Sequence, residues 1–251
     1  MKDKLVITIM AAGEGKRMNS TLPKVLHLFN GEPMLVRIIK ESSKLKPHKI
    51  IVITGKYHSQ IKLTLNDYLD PDTFKMIHFV KQNEPKGTAH AIKQTLEYYD
   101  DDSNVLILNG DMPLITSNIL TSFIGGLDDE PRILVAKLDN PYGYGRILSK
   151  LNVFIGIKEE KDCNQEEKLI DIINVGIYYF HSTLLKKYVP IIDNNNCQNE
   201  FYLTDIVKVI KNNSDLNIKT YQIPENYKYQ IMGVNTQSEL QELELKYKNI
   251  I

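Results

Sequence analysis

Short apolar runs alternate along the chain with longer stretches of helical periodicity. Leu5 to Met10, Lys49 to Thr54 and Val105 to Leu108 are apolar on both faces and rich in β-branched residues, the pattern of strands buried on both sides. Between the first two, Pro33 opens a segment in which Met34, Leu35, Ile38 and Ile39 recur at helical spacing, proline standing where a first-turn N–H needs no partner. Thr88 to Tyr99 predicts a second helix, apolar at Ala89, Ile92, Leu96 and Tyr99. The second half is less regular. Ile133 to Leu138, Val153 to Ile157 and Ile172 to Phe180 predict strands, the last apolar enough to be central. Ser117 to Phe123, Thr183 to Tyr188, Thr204 to Lys211 and Thr236 to Tyr247 predict helices. Asp193 to Asn196 and Glu159 to Lys168 read as polar loops.

This alternation implies an α/β fold of three layers, α/β/α: a Rossmann-like, mostly parallel mixed sheet with right-handed crossovers. In such sheets ligands bind beyond the carboxyl ends of the strands, so chemistry is sought just after strand ends. No repeat and no Gly/Ser-rich linker interrupts the chain, which predicts one domain over residues 1–251. Within it, about 1–115 forms one part, about 116–230 a second, and the last helix closes the chain.

Composition narrows the field. The 251 residues are 42% hydrophobic and 25% charged, as expected of a soluble globular protein with a real core. Lys+Arg 31 against Asp+Glu 31 argues against a general nucleic-acid or membrane-surface binder, while permitting a local basic pocket. No apolar run reaches the length of a signal segment or membrane span, which predicts a cytoplasmic protein. Cys163 and Cys197 lie far apart in polar surroundings and read as incidental reduced thiols.

The strongest local signal follows the first strand: Met10-Ala11-Ala12-Gly13-Glu14-Gly15-Lys16-Arg17-Met18, then Leu22-Pro23-Lys24. Small residues and glycines let the backbone approach a ligand, and successive N–H groups can cradle phosphates. Arg17 and Lys24 add two cations suited to a polyphosphate. A dinucleotide fingerprint would need glycine where Met18 stands, and a P-loop would need Ser or Thr where Arg17 stands. The glycine pair is equally compatible with a plain strand-to-helix turn. Asp111 ends the run from Val105, placing a carboxylate at a strand's carboxyl end, where a hard dication shared with phosphates would need it; it also suits a turn or helix cap.

These motifs resemble the nucleotide-sugar pyrophosphorylases. More narrowly, Leu22-Pro23-Lys24-Val25-Leu26-His27 is similar to the uridylyltransferase domain of the bacterial N-acetylglucosamine-1-phosphate uridylyltransferases. The likeness recurs in order at Gln82, Gly87-Thr88-Ala89-His90-Ala91, Gly110-Asp111-Met112-Pro113-Leu114 and Gly143-Tyr144-Gly145-Arg146-Ile147. It continues at Glu159-Glu160-Lys161-Asp162, Asn174-Val175-Gly176-Ile177, Glu200-Phe201-Tyr202-Leu203-Thr204-Asp205 and Gly233-Val234-Asn235. Each block is weak alone; collinear, they are specific.

The resemblance implies the nucleotide-diphospho-sugar transferase fold, related to glycosyltransferase A, and synthesis of UDP-N-acetylglucosamine from UTP and N-acetylglucosamine-1-phosphate. It implies Arg17 and Lys24 as catalytic cations. Met10, Ala11, Ala12, Gly13 and Gly110 would bind the nucleotide, with Gln82, Gly87 and Thr88 holding the base. Asn109, Gly145, Glu159, Asn174 and Tyr202 would bind the sugar, and Asp111 with Asn235 would hold Mg2+. The residues leave alternatives open. Gln82 also suits a solvated loop, Asn235 an N-cap, Tyr144 and Tyr202 packing, and His27 and His90 structural roles. Lys16, Asn109 and Val175 depart from the usual threonine, tyrosine and threonine, which loosens the expectation about the sugar. An acetyltransferase β-helix of hexapeptide repeats is not expected, and with it goes the usual route to trimers, leaving assembly open between monomer and dimer. Competing readings are transfer from dTTP or to another hexose phosphate, a non-catalytic nucleotide-sugar sensor, and a nicotinamide oxidoreductase, the last disfavoured by Met18.

Overall fold

A computed structural model describes residues 4–125, 130–151 and 153–248. The elements run β1 (Lys4–Ala11), the two-residue strands β2 (Leu28–Phe29) and β3 (Glu32–Pro33), α1 (Met34–Ser43), β4 (Lys49–Thr54), α2 (His58–Tyr68), α3 (Pro71–Lys75) and β5 (Ile77–Lys81). Next come α4 (Thr88–Lys93), β6 (Ser103–Asn109), α5 (Ser117–Ile124), β7 (Arg132–Lys137), β8 (Gly145–Lys150), β9 (Val153–Lys158) and β10 (Ile172–His181). The chain closes with α6 (Ser182–Tyr188), α7 (Ile206–Asn213), β11 (Lys219–Gln222) and α8 (Gln237–Lys248).

Among the described residues nine strands form one mixed sheet in the order β11-β7-β10-β6-β1-β4-β5, with β8 paired to β10 and β9. β6, β1, β4 and β5 are mutually parallel. β10 enters antiparallel between β6 and β7, so the strand direction reverses beside β6. Crevices form where the topology switches, and the cleft opens there.

The alternation within β1 explains the layers. Leu5, Ile7 and Ile9 pack with Leu35, Ile38 and Ile39 of α1, Ile61 and Leu65 of α2, and Leu120 and Phe123 of α5. Val6 points the other way, into a cluster with Ala89 and Ile92 of α4, Leu185 of α6, and Ile206 and Ile210 of α7. Helices therefore cover both faces, and the parallel strands read as continuous apolar runs for that reason. A third, smaller cluster seats α8: Leu240 and Leu243 pack with Met18, Phe29, Met34 and Leu114. Burying each leucine contributes about 2 kcal/mol, enough to hold the end of the chain against the loop after β1.

The structure differs from the sequence reading in places with physical causes. Pro33 is the N-cap of α1, paired in β3, rather than its first helical residue. α4 stops at Lys93 and a 3-10 turn, Leu96–Tyr98, replaces the rest of the expected helix. The buried Thr95 hydroxyl lies 2.7 Å from the Ile92 carbonyl and 2.7 Å from the Tyr99 hydroxyl, which itself meets Thr8 at 2.9 Å. These local bonds compete with helix continuation. The loop after β9 is polar as expected but carries two 3-10 turns, Glu160–Asp162 and Glu167–Leu169. Among the described residues no helix is long and apolar enough to cross a membrane.

Candidate active site

At the carboxyl end of β1 the chain turns through Gly13 and Gly15 into a 3-10 turn, Lys16–Met18. Gly15 has φ 64°, and a Cβ there would come within 2.5 Å of Lys24 Cβ. Glycine is required because Lys24 crosses directly against the loop. Gly13 faces open space, so its backbone stays reachable. Gly110 donates its N–H to the Met10 carbonyl at 2.9 Å, and a Cβ there would meet the same oxygen at 3.0 Å. That close approach draws Asp111, just past β6, toward the glycine loop.

Four side chains then form one network. Lys24 Nζ donates to Asp111 Oδ2 and, at 3.3 Å, to Asn235 Oδ1; Arg17 Nη2 donates to the same Asn235 oxygen at 2.9 Å. The Val234 N–H donates to the Asp111 carbonyl at 3.0 Å, stitching the segment before α8 to the end of β6. Lys24 and Asp111 are only 16% and 17% exposed, so their attraction is less screened than on an open surface. A carboxylate and a carboxamide oxygen thus converge on one cation, the Lys24 ammonium. That hard-oxygen pair suits a magnesium ion, which takes one or two protein oxygens and completes its shell with phosphates and water. Among the described residues no group of three or more His, Cys, Asp or Glu side chains is placed to hold a metal by protein alone.

Gln82 is buried, 5% exposed, rather than solvated. Its Nε2 donates to the Gly87 carbonyl at 3.2 Å and lies 3.0 Å from His90 Nδ1. Burial, with Lys86 nearby, lowers the His90 pKa and favours its neutral form. Gly87, at φ 112°, presses against the backbone of Phe201, and Thr88 Oγ1 accepts the Leu203 N–H at 2.9 Å. These two blocks, distant in sequence, therefore fold against each other.

On the sugar side expected from the sequence, a Cβ on Gly145 would lie 3.6 Å from both Asn174 Cβ and Glu159 Oε2. β10 bulges between Asn174 and Tyr178, with Gly176 at φ 83° wedged against the Asn109 side chain. Asn174 Nδ2 donates to the Tyr178 hydroxyl at 2.8 Å while its Oδ1 accepts the Gly176 N–H at 3.1 Å, which fixes the carboxamide. Burial raises the Glu159 pKa against an opposing hydrogen bond from Thr204 at 2.9 Å, and Asp205, Asp162 and Glu200 push the same way as burial. Arg146, fully buried, ties the walls together: it donates to the Tyr144 carbonyl and, at 2.6 Å, to Glu160.

Both ends open into one cleft of about 660 Å³. Met10, Arg17, Thr88, Asp111 and Asn235 line it, as do Asn109, Gly145, Glu159 and Asn174. Ala11, Ala12, Gly13, Gln82, Gly87 and Gly110 are not on its wall, and Lys24 reaches it through Asp111 and Asn235. Tyr202 does not line it either; buried, its hydroxyl accepts from Gln198, and burial pushes its pKa up to about 12.

Residues 7–166 match the MobA-like NTP transferase domain. The chain belongs to this family. A probable UDP-N-acetylglucosamine pyrophosphorylase of Acanthamoeba polyphaga mimivirus is 42% identical over 246 residues, covering 96% of this chain and 95% of that protein. The bifunctional protein GlmU of Francisella philomiragia is 37% identical across 98% of this chain but 52% of its own length; the chain spans about half of that protein. Two solved structures share the fold: a putative glucose-1-phosphate thymidylyltransferase from Bacillus anthracis (TM-score 0.69, 16% identity, covering 98% and 96% of the two chains) and a UDP-glucose pyrophosphorylase (0.71, 15%, 99% and 100%).

The cleft also contains residues to which the sequence motifs give no part. Tyr142, Tyr178, Lys228, Tyr229 and Glu239 line it. Tyr178 was hidden in an apolar strand, and Lys228 and Tyr229 lie in a 3-10 segment, Glu225–Ile231, that has no periodic pattern. Tyr144, already within a motif block, reaches far enough that the Asp111 carboxylate adds to burial in raising its pKa.

Proposed function

We propose that the protein joins UTP to N-acetylglucosamine-1-phosphate, forming UDP-N-acetylglucosamine and pyrophosphate. The observation that carries this reading is the one cleft lined by Arg17, Asp111 and Asn235, with Lys24 bonded to the last two, and also by Gly145, Glu159 and Asn174. Clustered cations at strand ends suit a triphosphate; a fixed carboxamide beside a carboxylate suits hydroxyl and acetamido groups. The pyrophosphorylase named among the relatives supports the choice of nucleotide and sugar.

In this reading an oxygen of the sugar phosphate attacks the α-phosphorus of UTP in line, a new P–O bond forms, and the bond to the β-phosphate oxygen breaks. The nucleophile is already an anion, so no general base is required. What remains is alignment of two mutually repelling anions and neutralisation of their charge. Arg17 and Lys24 flank the triphosphate and stabilise the charge that grows on departing pyrophosphate. Gln82, buried below Gly87, and Thr88 at the start of α4 place the base; Asn109, Glu159 and Asn174 orient the sugar. Magnesium held by Asp111 and Asn235 would supply further neutralisation of the phosphate oxygens.

A pyrophosphate-release assay across UTP, dTTP and several sugar-1-phosphates tests this. UTP with N-acetylglucosamine-1-phosphate should be fastest. Faster turnover with glucose-1-phosphate would overturn the sugar, faster turnover with dTTP the nucleotide, and no release with any pair the reaction itself.

A further inference from the structure

α8 starts at Gln237, and its first turn reaches back to the residue that completes the charged network. Thr236 Oγ1 accepts the Glu239 N–H at 3.1 Å, and the Glu239 carboxylate accepts the Asn235 N–H at 2.7 Å. In the usual capping box the glutamate returns to the N-cap N–H; here it returns one residue earlier, to Asn235. Asn235 is thus gripped from both sides. Its own N–H is held by Glu239, while the preceding Val234 N–H is held by the Asp111 carbonyl. Leu240 and Leu243, buried against Met18 and Phe29, keep the helix from rolling.

We propose that Glu239 is a positioning residue that fixes the backbone of Asn235, and through it the aim of the Asn235 carboxamide oxygen at Arg17, Lys24 and a bound dication. The inference rests on the proposed metal site. Glu239 lines the cleft, yet its carboxylate accepts from this backbone amide, whereas Arg17 and Lys24 both donate to the Asn235 oxygen. Without Glu239 the segment between Val234 and α8 has one fewer tether, and the oxygen shared by two cations loses its fixed direction. Groups that orient a metal ligand commonly change affinity by about tenfold or more when removed.

The test is a Mn2+ titration of the whole protein followed by water-proton relaxation, alongside thermal melting. Glu239→Ala should weaken Mn2+ binding about tenfold. Glu239→Gln, which keeps an acceptor oxygen without the charge, should stay within about twofold of the unsubstituted protein. Thr236→Ala removes only the helix cap; it should lower Tm by a few degrees and leave Mn2+ affinity unchanged. Unchanged affinity in Glu239→Ala would overturn the proposal, and so would equal weakening in Glu239→Gln, which would mean that charge alone matters. Asp111→Ala separates the two layers of the argument: if it binds Mn2+ as well as the unsubstituted protein, the metal site fails and the role of Glu239 fails with it.

Discussion

The two ends of the cleft are built from different materials. The end proposed for the phosphates is built on parallel strands, and its groups are two cations, a carboxylate and a carboxamide: Lys24 on Asp111, Arg17 and Lys24 on Asn235. The end proposed for the sugar is built where antiparallel β10 bulges, and its groups are held by neutral hydrogen bonds, Asn174 between Tyr178 and Gly176, around one partly buried carboxylate, Glu159. A polyphosphate needs charge more than shape, so long flexible cations suffice there. A sugar carries no charge on its ring, and telling one from another requires donors and acceptors that cannot turn away.

This contrast predicts that substitutions at the phosphate end lower kcat, while those at the sugar end raise KM. The largest effect belongs to Asp111→Ala, which should reduce divalent-dependent pyrophosphate release about a thousandfold or more while the circular dichroism spectrum persists. Retained turnover would break the contrast at its root. Arg17→Ala and Lys24→Ala should each cost on the order of a hundredfold in kcat, with little change in KM for the sugar phosphate.

Glu159→Gln should act the other way round, raising KM for the sugar phosphate about tenfold with a smaller change in kcat. Its effect on stability has a definite sign. The Glu159 pKa is raised in the folded protein, so the unfolded chain releases this proton first. As pH rises from the ordinary carboxylate range through the raised value, the native state is left with a costly charge and stability falls. Glu159→Gln removes that penalty, so melting at neutral pH should occur at the same or a higher temperature than in the unsubstituted protein, and the advantage should vanish in acid. The smallest effect is expected of Tyr202→Phe. Its hydroxyl serves Gln198 and not the cleft, so KM should move by less than about twofold while stability drops by about 1 kcal/mol. A tenfold rise in KM would return Tyr202 to the sugar site.

Much of this was legible because it is local. Runs apolar on both faces marked β1, β4 and β6, and glycines with nearby cations marked the loop after β1. β11 left no such mark: among the described residues it pairs only with β7, and its side chains are mainly exposed, so nothing constrains them to alternate. Gly15 and Gly13 were alike in sequence, yet only Gly15 is forced to be glycine, because Lys24 arrives against it from outside the loop. Asn235 came from the family resemblance, not from its own surroundings in the chain. Thr236-x-x-Glu239 has the spacing of an ordinary capping box, and only the structure shows the Glu239 carboxylate bonded to Asn235 instead of to the N-cap.

By itself, then, the amino-acid sequence determined the α/β architecture, the glycine loop after β1 and the acidic strand end. Those features depend on periodicity and on residues within one turn or strand of each other. Only the tertiary structure decided that Lys24, Asp111 and Asn235 share one network, that Gln82 is buried and bonded to the Gly87 carbonyl, and that the Tyr202 hydroxyl meets Gln198 off the cleft wall. Such facts depend on how sheet order and the docking of α8 bring distant segments together, and the free energy that sets them is spread over the whole core.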